Sequence, residues 1–391
     1  MLIDGTVYLD YQAATPVDPR VVEAMAASMA TDFANPSSDD HSLGWRARRS
    51  VEQARATIAD VWGVLAEEII FTSGATEADN IAVLGGALGA PNERKRLLVS
   101  AIEHKAVLEA AYAAERYGFA VEIIPVGADG VVDLEALRRS LDETVAVVSV
   151  MAVNNETGVV QPVRRVADLA AQFGAFSHCD ATQAPLAGEI DLFSWGVDAA
   201  SFSSHKLYGP KGVGALYLSP DRPWTPRSLT FGGGQEGGVR PGTLPTALCA
   251  GFATAVEIMG REGEAERIRV AALRDGFVEA LRSLDARFKL TAADAPRHPG
   301  NAHMTLAGVD AADLLVRLQP AVAASLGSAC TSGVIGASHV LSAMALSDEE
   351  AGSCLRFSLG RFSDASQVAR AVEAIRAALK SVGSATTASV A

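Results

Sequence analysis

The chain has 391 residues, and at the usual domain size of about 100–200 residues this length points to two or three domains. A composition of 49% hydrophobic and 20% charged residues with 35 glycines is that of an ordinary soluble globular protein, and it excludes disorder, collagen and coiled coil as the main architecture. With 33 basic against 46 acidic residues the formal charge is −13, which leaves no general electrostatic basis for holding nucleic acid or anionic lipid directly.

The N-terminus, MLIDGTVYLDYQAATP, has no basic-then-apolar segment, so no signal peptide is read. The longest apolar stretch, around Val145 to Val153, is about half of what a membrane helix needs. A reducing, cytoplasmic setting with no membrane contact is the expectation. From Glu67 to about Tyr217 short apolar runs (EIIFTS, KRLLVSA, AVEIIPV, VAVVSVM, GAFSHCD, AASFSS, VGALYL) alternate with helical patterns at Glu77–Leu88, Lys105–Tyr117, Leu134–Leu141 and Arg164–Phe173. This alternation predicts an α/β domain with a mostly parallel sheet, whose ligands bind at the carboxyl ends of the strands. A glycine-rich loop follows, FGGGQEGGVRPG at Phe231–Gly242. Ala247 to about Asp285 then reads as a long amphipathic helix interrupted near Gly260–Gly263. Beyond it lie AHMTLAG, a helix at Ala311–Leu318, VAASLGS, a second glycine-rich loop, a helix after Ser347, CLRFSLG and a last helix with a frayed tail. The predicted division is a large domain over 15–258 and a smaller α+β domain formed by 1–14 with 259–391.

Several strand ends carry chemistry. FTSGATEADN enters a helix in the manner that presents free N–H groups to a phosphate, or reads simply as a helix capped by Ser73 or Thr76, with Glu77 or Asp79 near its positive end. His104 follows a strand in VSAIEHKAV, where a lone histidine is more often structural. Asp180, after GAFSHC, is placed either to pair with a pyridine nitrogen or to cap a helix. In SFSSHKLYGPKGVGALYL, Lys206 reads evenly as a Schiff-base lysine with phosphate-binding neighbours or as a surface lysine before a hairpin. Asn154–Asn155–Glu156 follows VVSVMAV. Arg356 sits opposite the apolar positions of CLRFSLG as a carboxylate fork, a surface arginine or an ion-pair partner. The four cysteines, Cys179, Cys249, Cys330 and Cys354, form no CxxC pair and no zinc spacing, so neither a disulfide framework nor a metal site is expected.

Taken together, YLDYQAATP, FANPSS, FTSGATEADN, EHKAV, VNNETGVV, DATQ, SHKLYGPKG, RPGTLP, GSACTS and LRFSLGRF resemble the cysteine desulfurases of the nitrogenase and iron–sulfur-cluster group, over nearly the whole chain. The resemblance implies the fold-type-I pyridoxal-phosphate architecture of class V aminotransferases, with a mostly parallel seven-stranded sheet. It also implies a homodimer with active sites at the subunit interface. It makes Lys206 the covalent cofactor lysine, Asp180 the partner of the pyridine nitrogen, His104 the stacking and proton-transfer residue, and Gln183 a contact of the phenolic oxygen. Ala75, Thr76, Ser203 and His205 hold the phosphate, with Thr243 from the other subunit. Asn155 and Arg356 take the α-carboxylate of L-cysteine. Cys330 becomes the persulfide carrier that passes sulfur to an acceptor protein, while the other three cysteines read as core residues.

The departures from the group's pattern concern the acceptor. Asp39 and Ser42 stand where relatives have basic residues, Gln235-Glu236-Gly237-Gly238 replaces His-Glu-Arg-Gly, and the tail is short. Iron–sulfur assembly, thiolation of tRNA or DNA, and a small-molecule pathway all stay open. Two other readings are a class V relative performing selenocysteine lysis or transamination, which needs no protein thiol, and a catalytically silent scaffold.

Overall fold

The computed structural model describes residues 1–326 and 338–388, with side chains described up to residue 381. All seven apolar runs form strands of one sheet: β1 (Ile69–Thr72), β2 (Arg96–Ser100), β3 (Ala120–Ile124), β4 (Val145–Ser149), β5 (Phe176–Asp180), β6 (Ala199–Ser203) and β7 (Gly214–Leu218). Their spatial order is β1-β7-β6-β5-β4-β2-β3. Six strands run parallel, and β7 is antiparallel to both its neighbours. Strands β4 to β7 are buried at every position. Helices cover both faces of such a sheet, so these strands read as continuous runs of apolar and small residues rather than as alternation.

One face is covered by helices α1 (Pro19–Thr31), α2 (Ser42–Trp62) and the first half of α5 (Thr246–Leu284), with Trp62 stacked on Phe202 at 4.1 Å between ring centroids. On the other face α3 (Ala75–Asn80) and α4 (Lys105–Ala114) pack over Leu97, Val99 and Phe176. Helix α5 is continuous for 39 residues, about 60 Å, which corrects the predicted interruption near Gly260–Gly263. Gly260 is there for proximity: a Cβ on it would lie 3.0 Å from Val61 Cγ1 of α2.

The far half of α5 enters a second core. Val270, Phe277 and Leu281 meet Val7 and Leu9 from the N-terminal segment, Phe357, and Ile375 of the last helix, α6 (Ala365–Ala388). That core is built on an antiparallel sheet of Phe288–Leu290, Asn301–Leu306 and Cys354–Ser358. In a second small sheet Thr6–Tyr8 pairs with Leu2–Ile3 and, in parallel, with Val322–Ala323. Helix α6 runs to Ala388, so the part of the expected tail up to that residue is helical.

Candidate active site

The carboxyl ends of β1, β4, β5 and β6, with the turn after β2, surround a cavity of about 770 Å³, where a sheet of this kind binds its ligands. Lys206 follows β6 in a short 3₁₀ turn, Ser204–Lys206. Its Nζ donates to the carbonyls of Gln12 (2.6 Å) and Ala13 (2.9 Å), so the amine points inward to the N-terminal segment and not to bulk water. His205 Nδ1 and Ser203 Oγ share a hydrogen bond of 2.8 Å. Burial, then the charges of Lys206 and Lys211, push His205 down to about 4, so its ring is neutral at physiological pH.

At the end of β1 the chain turns through Gly74, whose φ of +154° suits glycine. Gly214 opens β7 beneath that turn, and a Cβ on it would lie 2.7 Å from Gly74 Cα. Gly74 is also the N-cap of α3 and offers no side-chain acceptor, which corrects the expected Ser73 or Thr76 cap. The first-turn N–H groups, at Ala75 and Thr76 on the cavity wall, therefore have no capping side chain. Glu77 accepts the Ser73 N–H at 2.5 Å and Arg240 Nε at 3.0 Å, tying the glycine-rich loop to this turn. Of the two acids expected near the positive end of this helix, Glu77 is in the first turn, whereas Asp79 lies deeper. It is 1% exposed beneath the cavity.

Asp180 closes β5 and accepts the Thr182 N–H at 2.9 Å on Oδ1, while the helix that follows is capped by Gln183 instead. Gln183 lies on the cavity wall and donates Nε2 to the Gln12 carbonyl at 3.0 Å. His104 is the N-cap of α4, its Nδ1 accepting the Ala106 N–H at 3.1 Å, which places the proton of a neutral ring on Nε2. Arg356, almost fully buried, donates Nη1 to the Asn155 carbonyl and Nη2 to Asp10 Oδ1, each at 2.7 Å. It is thus both an ion-pair partner and a residue of the cavity wall, which Asn155 shares. Thr243 lies exposed and off this wall. Cys330 lies outside the described residues. Cys179, Cys249 and Cys354 are free and buried, and burial pushes the Cys249 thiol up to about 12.

Glu156, singled out in the sequence only as a neighbour of Asn155, lines the cavity, as do Gln12, Thr182 and His339, to which the sequence assigns no role. Glu156 is 3% exposed and accepts the Ser338 hydroxyl at 2.6 Å; burial raises its carboxyl above the usual range. Gln12 Nε2, Thr182 Oγ1 and both Asp79 oxygens are buried with no hydrogen-bond partner of good geometry. An inward amine, a carboxylate, uncapped helix N–H groups and unpaired buried polar atoms around one cavity fit pyridoxal phosphate, which has an aldehyde, a ring nitrogen and a phosphate to satisfy. Among the described residues no cluster of His, Cys, Asp and Glu is disposed to hold a metal. No helix among them is long and apolar enough to cross a membrane.

This strand order, with a lysine after the sixth strand and an aspartate ending the fifth, defines a fold-type-I architecture. The aminotransferase class-V family model matches residues 7–371. Cysteine desulfurase IscS of Rickettsia bellii is 41% identical over 369 residues, 94% of this chain and 90% of that protein. A NifS-like protein of solved structure superposes with a TM-score of 0.88 at 33% identity, covering 96% of this chain and 99% of its own. SspA, solved in complex with cysteine, superposes with a TM-score of 0.82 at 34% identity, covering 92% and 100%. The chain belongs to the class-V aminotransferase family and, within it, to the NifS/IscS-like cysteine desulfurases.

Proposed function

We propose that the protein is a pyridoxal-phosphate-dependent cysteine desulfurase that converts L-cysteine to L-alanine and carries the released sulfur on Cys330. The observation that carries this reading is the convergence of Lys206, Asp180, His104 and Arg356 on one cavity. When bound, pyridoxal phosphate supplies an electron sink for the pair left at the substrate's Cα after proton loss.

The chain's own residues do the rest. Lys206 would hold the cofactor through its aldehyde carbon and, as a free amine, would move the substrate's Cα proton. Asp180 holds a proton on the ring nitrogen, and His104, its Nε2 carrying hydrogen, covers the ring and passes protons. Ala75, Thr76, Ser203 and His205 bind the phosphate, Gln183 the phenolic oxygen, and Arg356 with Asn155 the substrate carboxylate. Cys330, as thiolate, attacks the substrate sulfur. An S–S bond forms, the C–S bond breaks with its electron pair going to Cβ, and protonation there, together with return of a proton to Cα, gives alanine and an enzyme persulfide. An acceptor protein then takes that sulfur, for iron–sulfur cluster assembly or for thiolation of tRNA, DNA or a cofactor.

The working form is a cytoplasmic homodimer in which Thr243 reaches the partner's phosphate. Its subunits comprise a large domain of 15–258 and a smaller one of 1–14 with 259–391. Exposed Phe33, Leu43, Trp45 and Phe231 support a subunit contact. The test is incubation with cofactor and L-cysteine, followed by an alanine assay and mapping of the persulfide by mass spectrometry. Alanine with a persulfide on Cys330 is expected. Full turnover by Cys330→Ala would overturn the sulfur-carrier role, and absence of alanine the activity itself.

A further inference from the structure

Behind the cavity, three acids share one dry space. Asp79 from α3 and Glu103 from the turn after β2 are 1% and 0% exposed, and Asp180 is 5% exposed. Asp180 opens onto the cavity and accepts a backbone N–H. Glu103 accepts the Ser100 hydroxyl at 2.5 Å and the Met151 N–H at 2.8 Å on Oε1, leaving Oε2 without a partner. Neither oxygen of Asp79 has a hydrogen-bond partner of good geometry; the Ser201 hydroxyl, which works to lower its pKa, and His178 Nε2 at 3.6 Å are the polar groups beside it, and the residue lines the cavity.

Among the described residues the groups packed around Asp79 and Glu103 include no lysine or arginine, while Lys105, Lys206, Lys211 and Arg356 lie on the wall of the cavity in front. From β5 come His178 and Asp180 itself, from β6 the Ser201 hydroxyl, and from the turn before α4 Glu103, while Cys179 points to the opposite face of the sheet. His178 is fully buried, with Nδ1 at 2.8 Å from Ser149 Oγ and Nε2 at 2.9 Å from Ser201 Oγ. Its Nε2 stands 3.6 Å from Asp79 Oδ1, beyond hydrogen-bond contact. Like charges this close in a low-dielectric pocket cannot all ionise. Burial, then the Asp180 charge, drives Asp79 well above the carboxylate range, while burial brings Glu103 to about 8 and His178 down to about 4.

We propose that Asp79 is a positioning residue that works as a neutral carboxylic acid, so that the buried acid cluster presents a single negative charge, on Asp180, to the cofactor's ring nitrogen. The inference rests on the pyridoxal-phosphate reading above. As a neutral acid Asp79 has a proton to donate and adds no competing charge, whereas a second carboxylate would draw the ring proton away from Asp180. An amide at position 79 preserves both properties, and an apolar side chain preserves only neutrality.

The first measurement needs no cofactor. In the infrared spectrum of the protein carrying ¹³C-aspartate, a carbonyl-stretch band of a protonated aspartic acid at neutral pH is expected and should vanish in Asp79→Asn. Its absence, as an Asp79 carboxylate paired with a His178 cation would give, overturns the proposal. The second is cofactor affinity and the absorbance of the bound cofactor. Asp79→Asn should keep both, Asp79→Leu should bind about tenfold or more weakly, and Asp180→Asn should lose most binding. Loss in Asp79→Asn comparable to that in Asp180→Asn, or no loss in Asp79→Leu, overturns the positioning role. If the unmutated protein binds no cofactor, the functional reading fails while the infrared result still decides the state of Asp79.

Discussion

Lys206 and Arg356 are the residues whose alternatives separate most sharply. The Lys206 amine is directed at two carbonyls of the N-terminal segment, so Lys206→Ala should leave the cavity walls intact and remove the covalent anchor. Mass spectrometry after borohydride reduction should find a cofactor adduct on the unmutated chain and none on the variant. Arg356 has a structural partner as well as a place on the cavity wall, so its two roles must be split. Asp10→Asn removes the ion pair but leaves the guanidinium; it should lower the melting temperature with little change in KM for L-cysteine. Arg356→Ala should raise KM about tenfold or more, because a charged hydrogen bond to the substrate carboxylate is lost. An unchanged KM in Arg356→Ala counts against the carboxylate role. At this scale the sequence was informative where a residue's meaning lies in its neighbours along the chain, as at Lys206 within SSHKLYGPKG. It was mute for Asp79, Glu103 and His178, whose protonation depends on a dry space assembled from three separate segments.

Among the elements, strands were legible because a sheet covered on both faces demands unbroken apolar or small runs, and β4 to β7 supply them. The Ala311–Leu318 helix was legible through its cap, Asp310, and its apolar spacing. Helix α5 was misread because local propensity penalises glycine whereas packing here requires it. Gly260 faces Val61 across the α2 contact, but Gly276 on the same helix has open space where a Cβ would be. The two glycines should therefore respond oppositely. Gly276→Ala should stabilise by about 1 kcal/mol through helix propensity. Gly260→Leu should destabilise by about 1–3 kcal/mol, since the added atoms must push α5 from α2. Denaturant titrations of both variants check this, and stabilisation by Gly260→Leu would show that the close approach does not matter. The glycine-rich loop was legible as a loop but not as a fixed one. Glu236 accepts both Arg55 Nη groups and the Phe71 N–H, and Gln235 accepts the Gly242 N–H. These bonds give residues in the substituted His-Glu-Arg-Gly segment a structural task.

For the whole molecule, net charge says little about pH tolerance, whereas buried titratable groups in both cores say more. His178 lies within the large sheet, His303 within the smaller antiparallel one and His298 just before its strand; burial pushes them down to about 4, 3 and 3 in the order His178, His298, His303. In the unfolded chain each titrates near 6.5, so between 6.5 and these lower values the unfolded state binds more protons. The stability they contribute is fully present above 6.5 and is lost as the pH falls through the folded values. Glu103 acts in the opposite sense. Its folded value of about 8 lies above its ordinary 4.5, so its contribution is complete below 4.5 and is lost as the pH rises toward 8. Stability is thus drawn down from both sides. The imidazole contribution begins to fall near 6.5, above the range in which ordinary exposed carboxylates titrate. Glu103 and Asp79 oppose the imidazoles between pH 6.5 and about 4.5, so the readout is the difference between variants: over this interval the melting temperature of cofactor-free His303→Asn should fall less, or rise more, than that of the unmutated protein. Equal slopes for the unmutated protein and His303→Asn across this interval would mean that this imidazole takes up a proton in the folded state and is not sealed in the dry core described.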